Sequence, residues 1–322
     1  MKAVVVEQLG RPPTYRDFPD PAREPGQTLV EVSAAPLNPV DLSMAAGRFY
    51  AEPPATPYVA GREGVGRVLE SDSLEPGTRV YFGSGGGMAE RAVAPDGELI
   101  SLPQGVDDAL ASCFGVAGLA AWLALDWRGR LREGETVLVL GASGAVGMIA
   151  VQAAKLLGAG RVVAAARSED GLARARRLGA DATVKLDQRE DLAAAFVEAA
   201  GSQLDLTIDP LWGEPASAAT RATGFRGRLV HVGRSASDQA TFESGVVRGR
   251  LISILGHSNF AAPAEVRAES YRRMLTHVAA GELTVDYEVL PLERGAEAWE
   301  RQAASPGRKL VLSPLGAERL NQ

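Results

Sequence analysis

The chain has 322 residues, 46% of them hydrophobic and 23% charged, with a mean hydropathy of −0.03 and a formal net charge of −6 at pH 7. That length exceeds what one hydrophobic core usually organises, so two domains are expected. The acidic balance opposes general attraction to nucleic acid or anionic lipid, and a single cysteine excludes an intrachain disulfide framework.

The opening MKAVVVEQLG is too short an apolar run for a signal peptide, and Glu7 ends it. The first hundred residues then read as short strands (KAVVVE, TLVEVSAAP, GVGRVLES, TRVYF) punctuated by Pro-Pro, Pro-Gly and Gly-Ser-Gly-Gly-Gly. No stretch of helical period is expected before about residue 107. Cys113, in SCFGVAGLAAWLAL, has apolar neighbours and reads as a small buried hydrophobe.

Beyond that point strand-like runs alternate with amphipathic ones: TVLVL and a helix from Ala145, RVVAAA and EDGLARARRLG, TVKL and REDLAAAFVEAAG, then LDLTID, GRLVHVG and RLISILG. Such alternation is the sign of βαβ units and a parallel sheet. The helix from Ala145 shows an apolar stripe at Val146, Ile149, Ala150, Ala153 and Leu157. In the next helix Ser168 is the expected N-cap and Gly179 the C-terminal stop. The stretch 137–154 is apolar for about a bilayer span, but Ser143, Gln152 and its glycines favour a strand, turn and helix. A soluble cytoplasmic protein is expected. After about residue 260 follow a helix, the strand VDYEVLPL, the short helix GAEAWERQ and the strand KLVLSP, too few elements for a domain of their own.

The loop GASGAVG at 141–147, between strand and helix, meets the condition for a dinucleotide cradle. Gly144 lets backbone approach a pyrophosphate, Gly147 allows close packing, and the helix N-terminus offers free N–H groups. Ala142 stands where the first glycine of G-x-G-x-x-G would be, tolerable if its φ is negative. At the end of the second strand, where NAD sites carry an acid on the ribose hydroxyls, this chain has Arg167 and Ser168. An arginine grips a 2′-phosphate that a carboxylate would repel, so NADPH is expected.

With these residues in place, the chain resembles the medium-chain dehydrogenase/reductase superfamily in its zinc-free quinone oxidoreductase branch. The likeness spans nearly the whole length through LNPVDLSMAAG (37–47), GREGVG (61–66), GLAAWLAL (118–125), GASGAVG, RRLGADATV (176–184) and RKLVLSP. It implies an α/β fold: a GroES-like β domain of residues 1–115 and 260–322, with an inserted Rossmann domain, a doubly wound parallel sheet, at 116–259. Zinc alcohol dehydrogenases of the superfamily place a Cys in the segment matching LNPVDL and a His in that matching GREGVG. Here the first has no thiol, the second offers Arg62, and His231, His257 and His277 are dispersed, so no metal is expected.

The resemblance implies hydride transfer from NADPH to a small-molecule carbonyl, a quinone or an α,β-unsaturated carbonyl, with the cofactor carrying the chemistry. No tyrosine is followed four residues later by lysine, which removes the short-chain reductase pattern. Asn38 and Asp41 match the branch's Asn-x-x-Asp segment beside the nicotinamide; Asn38 would bond a ribose hydroxyl or the substrate carbonyl, and Asp41 brace the turn. Phe49 and Tyr50 stand where the branch often has one tyrosine, leaving Tyr50 as the donor candidate. The cofactor set is Asn38, Ser143, Gly144, Ala145, Val146, Arg167, Ser168, Val232, Gly233, Leu255 and Lys309, the last near the pyrophosphate; Asp187 replaces an aromatic frequent near the adenosine. The apolar edge 251–256 implies a homodimer. Two other readings stay open: a pathway-specific enone or enoyl reductase, and a low-turnover NADPH-binding sensor or structural protein.

Overall fold

Why the chain's last strand matters to its beginning is answered by strand pairing. Lys309–Ser313 runs antiparallel to Gln27–Leu37, with Leu310 opposite Leu37 and Leu312 opposite Ala35. The computed structural model describes residues 1–187 and 190–316. Two compact units are present, one of Met1–Val116 with Tyr271–Gln322, the other of Ala117–Ser270.

The first unit is a GroES-like β structure. A seven-stranded sheet has at its centre Gln27–Leu37, flanked by Gly64–Glu70 and Lys309–Ser313, and a three-stranded sheet contains Lys2–Val6. Val30, Val32, Val68, Val80, Phe82, Leu310 and Leu312 form its core, closed by Trp299 from the helix Gly295–Ala303. Gln27–Leu37 alternates in burial through Glu31 and is buried continuously from Val32, as a strand covered on both faces must be. One short helix, Pro39–Ala45, corrects the expectation that none precedes residue 107. Proline at its first position and a capping box between Asn38 and Asp41 set its start. With seven residues it is too short to display a helical period. Near the end of this unit's first segment Cys113 is buried, its thiol held on Ala109 O at 3.2 Å and pushed up to about 12 by burial.

The second unit is a Rossmann-type sheet of six parallel strands. Named by first residue, their order is Ala182, Arg161, Thr136, Leu204, Thr223, Ser253. Chain direction across the sheet reverses between Thr136–Leu140 and Leu204–Asp209, the switch point where doubly wound folds bind ligands. The helix Ala145–Leu156 is buried without interruption from Gly147 to Ala154, wider than the single stripe expected, because it is sandwiched rather than half solvated. Ser168 caps Glu169–Arg177 by accepting from the N–H of Gly171, and Gly179 follows the helix at φ +108°. The edge strand is Ser253–Gly256, shorter than the apolar run at 251–256, since Leu251 turns into the left-handed region at φ 52°. Among the described residues no helix is long and apolar enough to cross a membrane.

Candidate functional site

The loop after Thr136–Leu140 is shaped by three glycines with different reasons. Gly141 takes φ +62°, the turn itself, while Ala142 is buried and does not share that conformation. A Cβ on Gly147 would collide with Gly141 O and lie 2.6 Å from Ala142 Cα, so the helix can start this close only with glycine. Gly144 has no such reason. Its φ is −87°, and an added Cβ would meet nothing nearer than Gly141 O at 3.5 Å. It opens the helix Ala145–Leu156, which has neither a side-chain cap nor an acidic residue in its first turn. A free glycine surface at an uncapped helix start is a fit for an anionic ligand.

Arg167 and Ser168 enter the neighbouring helix, whose Gly171 packs on the loop: a Cβ there would collide with Ser143. Arg167 is exposed and has no ion-pair partner among the described residues. Glu169, the nearest acid in sequence, is engaged by Lys185 at 3.1 Å. Ser143, Ala145 and Val146 are part-buried along the same loop and helix start. On the far side of the switch point, Val232 and Gly233 donate their N–H groups to Asp209 O at 2.8 and 3.3 Å, which leaves only their carbonyls for a ligand. Leu255 lies half-buried in the edge strand, paired with Val230.

The first unit holds a second, buried arrangement. Lys309 donates from Nζ to Asn38 Oδ1 at 2.6 Å and to Leu37 O at 3.0 Å. Asn38 donates from Nδ2 to Glu63 Oε1 at 2.8 Å and to Pro36 O at 3.2 Å. Glu63 Oε2 accepts from Tyr81 at 3.0 Å and from the N–H of Val116 at 2.6 Å. Asp41 accepts from the N–H groups of Asn38 and Arg62, both at 2.8 Å. Burial pushes Glu63 up to about 7 and Asp41 up to about 6, opposed by the Lys309 ammonium and by these hydrogen bonds. Tyr81 stacks on Tyr271 at 4.5 Å and is raised well above its ordinary range, by burial and then by Glu63. Gly115 makes the close approach possible, because a Cβ there would overlap Glu63 and the Tyr81 ring. A cavity of about 280 Å³ beside the network is lined by Asp41, Met44, Tyr58, Arg62, Ser84 and Trp299 among others.

These contacts revise several expectations. Asn38 has both ends of its amide engaged inside the protein, so its side chain is not poised for a ribose or carbonyl. Lys309 is buried with its ammonium on Leu37 and Asn38 rather than displayed for a pyrophosphate, because its strand pairs with Gln27–Leu37. Tyr50 is 75% exposed, its ring tilted against Phe49 at 4.1 Å, outside the buried network. Asp41 braces the turn. No sequence motif marks Glu63 or Tyr81 as a site residue; the glycines at 64, 87 and 115 are the signal the sequence carries, each set where backbone or ring must come close.

Residues 24–104 match the alcohol dehydrogenase GroES-like domain, and residues 145–278 match a family described as zinc-binding dehydrogenase. Quinone oxidoreductase of Mus musculus is 31% identical over 245 residues, covering 72% of this chain and 73% of its own length. The chain belongs to the quinone oxidoreductase-like branch of the medium-chain dehydrogenases/reductases, which works without zinc. A second member of this family, quinone oxidoreductase of Rattus norvegicus, is 29% identical over 325 residues, 97% of each chain. The quinone oxidoreductase of Thermus thermophilus, solved also in complex with NADPH, superposes with a TM-score of 0.83 at 29% identity, over 97% of this chain and all of that one. Among the described residues no group of three or more His, Cys, Asp or Glu side chains is arranged to hold a metal ion.

Proposed function

We propose that the protein is an NADPH-dependent oxidoreductase that reduces a quinone or an α,β-unsaturated carbonyl. The observation that carries this is the pairing of Gly144, a glycine with no internal reason, with the exposed Arg167 at the end of the adjacent strand. The helix start at Ala145 would hold the pyrophosphate, and Arg167 with Ser168 would hold a 2′-phosphate. Val232 and Gly233 would offer their carbonyls to the nicotinamide end, with Leu255 beside them. When bound, the reduced nicotinamide supplies the hydride. The acceptor class is supported by relatives named quinone oxidoreductases.

In the first unit, the Asn38–Glu63–Lys309 network holds the segment Leu37–Asp41 rigid, and Asp41 fixes Arg62 at the cavity. A homodimer through Ser253–Gly256 is supported by the free sheet edge, and by the exposed Leu251 and Phe225 near it; a monomer in light scattering would count against it.

The test is NADPH oxidation with a panel of quinones, enones and enoyl thioesters, together with Arg167→Ala. Loss of one charge-assisted phosphate contact should weaken NADPH binding roughly tenfold or more and leave NADH nearly unaffected. Equal affinity of the variant for NADPH would overturn the cofactor choice. Tight binding with no turnover across the panel would favour a sensor or structural role.

A further inference from the structure

Asp209 ends the strand Leu204–Asp209 and is fully buried. Its Oδ1 accepts from the N–H groups of Leu211 and Trp212, both at 2.9 Å, but Oδ2 is buried without a hydrogen bond. Directly opposite in register, on the neighbouring strand, stands His231. Its Nδ1 lies 3.5 Å from Asp209 Oδ2 and also lacks a hydrogen bond, while 30% of the side chain remains exposed. Trp212 lays its ring against the imidazole at 4.1 Å, with Phe242 behind it at 5.2 Å. It does so in the left-handed region at φ 62°, a conformation rare for a bulky residue and found mostly where surrounding structure imposes it. An unpaired buried carboxylate beside a partly exposed imidazole is costly to keep, and orientation of histidine by a carboxylate is a standard means of making it an acid or base.

The location gives the pair a role. The turn after Asp209 packs on the glycine loop: a Cβ on Gly141 would lie 3.1 Å from both Pro210 and Leu211. Asp209 and His231 therefore stand at the carboxyl ends of the parallel strands, as the dinucleotide cradle does. They lie across the switch point from Arg167, on the side that takes the other half of a dinucleotide. Among the described residues, Asp209 is the one ionisable side chain placed against the imidazole. From the other neighbouring strand, His257 reaches only His231 O through its backbone N–H at 2.9 Å, and Arg234 is paired with Asp238.

We propose that His231, oriented by Asp209, is the proton donor for reduction of an α,β-unsaturated carbonyl; this rests on the oxidoreductase reading above. The substrate gains one hydride at the β-carbon, supplied by the reduced nicotinamide, which is thereby oxidised, and one proton at the α-carbon. That proton leaves Nε2 of the protonated imidazole as the α C–H bond forms, and solvent returns it through the exposed side. Nδ1 stays toward Asp209 throughout.

The test compares the unmodified protein with His231→Gln and with Asp209→Asn, which retains an oxygen for Leu211 and Trp212. With cyclohexenone and NADPH, kcat/KM should show a limb that falls with rising pH, as a reaction that needs a protonated donor requires. His231→Gln should lower the plateau roughly 100-fold, the lower range for a general acid, and lose that limb; NADPH binding followed by fluorescence should stay within about threefold, a shift under 0.7 kcal/mol. Asp209→Asn should lower kcat/KM in the same direction. Imidazole added to His231→Ala should restore part of the rate. If the unmodified protein oxidises NADPH with no quinone or enone, the oxidoreductase reading has failed. If it turns over and His231→Gln keeps both rate and pH profile, or loses rate equally at every pH with the limb intact, only the assignment of His231 is overturned.

Discussion

Glu63→Gln separates the charge of the buried network from its shape. In the folded chain Glu63 is raised from an ordinary 4.5 to about 7, chiefly because burial disfavours the carboxylate. Between those two values the unfolded chain has released this proton while the folded chain still holds it. Stability must therefore fall as pH rises through that window, and level off for this group above about 7. The displacement corresponds to roughly 3 kcal/mol at about 1.4 kcal/mol per pH unit. Asp41, raised from 3.8 to about 6, acts in the same sense over a lower window. Glutamine removes the ionisation but keeps one carbonyl oxygen. Its NH2 group must then face either Asn38 Nδ2 or the N–H of Val116, two donors the carboxylate accepts from. That mismatch costs about 1–3 kcal/mol at any pH. The variant should accordingly be the less stable at pH 5, and between pH 5 and pH 8 the balance should move in its favour by about 2–3 kcal/mol, enough to cancel or reverse the difference. Urea unfolding at pH 5, 6, 7 and 8, read by hydrogen exchange in peptides spanning residues 28–41, measures the gap for this unit alone. A gap that stays constant across pH would refute the assignment of a neutral, buried Glu63 at low pH.

Gly144→Ala should leave the melting temperature unchanged while weakening NADPH binding at least roughly tenfold, or 1.4 kcal/mol, because its Cβ makes only an ordinary contact with Gly141 O at 3.5 Å within the protein; calorimetric titration and a thermal melt decide it. Gly147→Ala should do the reverse, destabilising by about 1–3 kcal/mol through overpacking against Gly141 and Ala142. Gly115→Ala should destabilise the first unit by a similar amount and flatten the pH dependence attributed to Glu63, as its Cβ displaces that carboxylate. Tyr50→Ala should stay within about 0.5 kcal/mol of the parent, given its 75% exposure; a loss of kcat beyond tenfold would restore it as a donor.

The Rossmann unit was readable because each of its strands and helices carries its own period, and the glycine loop is a local device whose parts lie within seven residues. The helix Pro39–Ala45 was not, since a proline start and seven residues leave no period to detect. The buried network failed for a different reason. Its members at 38, 63, 81, 116 and 309 meet only after the last strand pairs with Gln27–Leu37, and no spacing along the chain encodes that pairing. A lysine opening a strand looks solvated in sequence; the register that sets Leu310 opposite Leu37 is what draws Lys309 inside. Asp209 and His231 are hidden in the same way, 22 positions apart in the chain and directly opposite in the sheet. Glycine itself shows where the boundary of legibility falls. In sequence Gly144 and Gly147 look alike, two members of one motif. In the structure one is required by the protein's own atoms and the other is required by nothing within it. That difference turns a motif into an argument for a ligand, because a residue the fold does not need must be explained by what the fold receives.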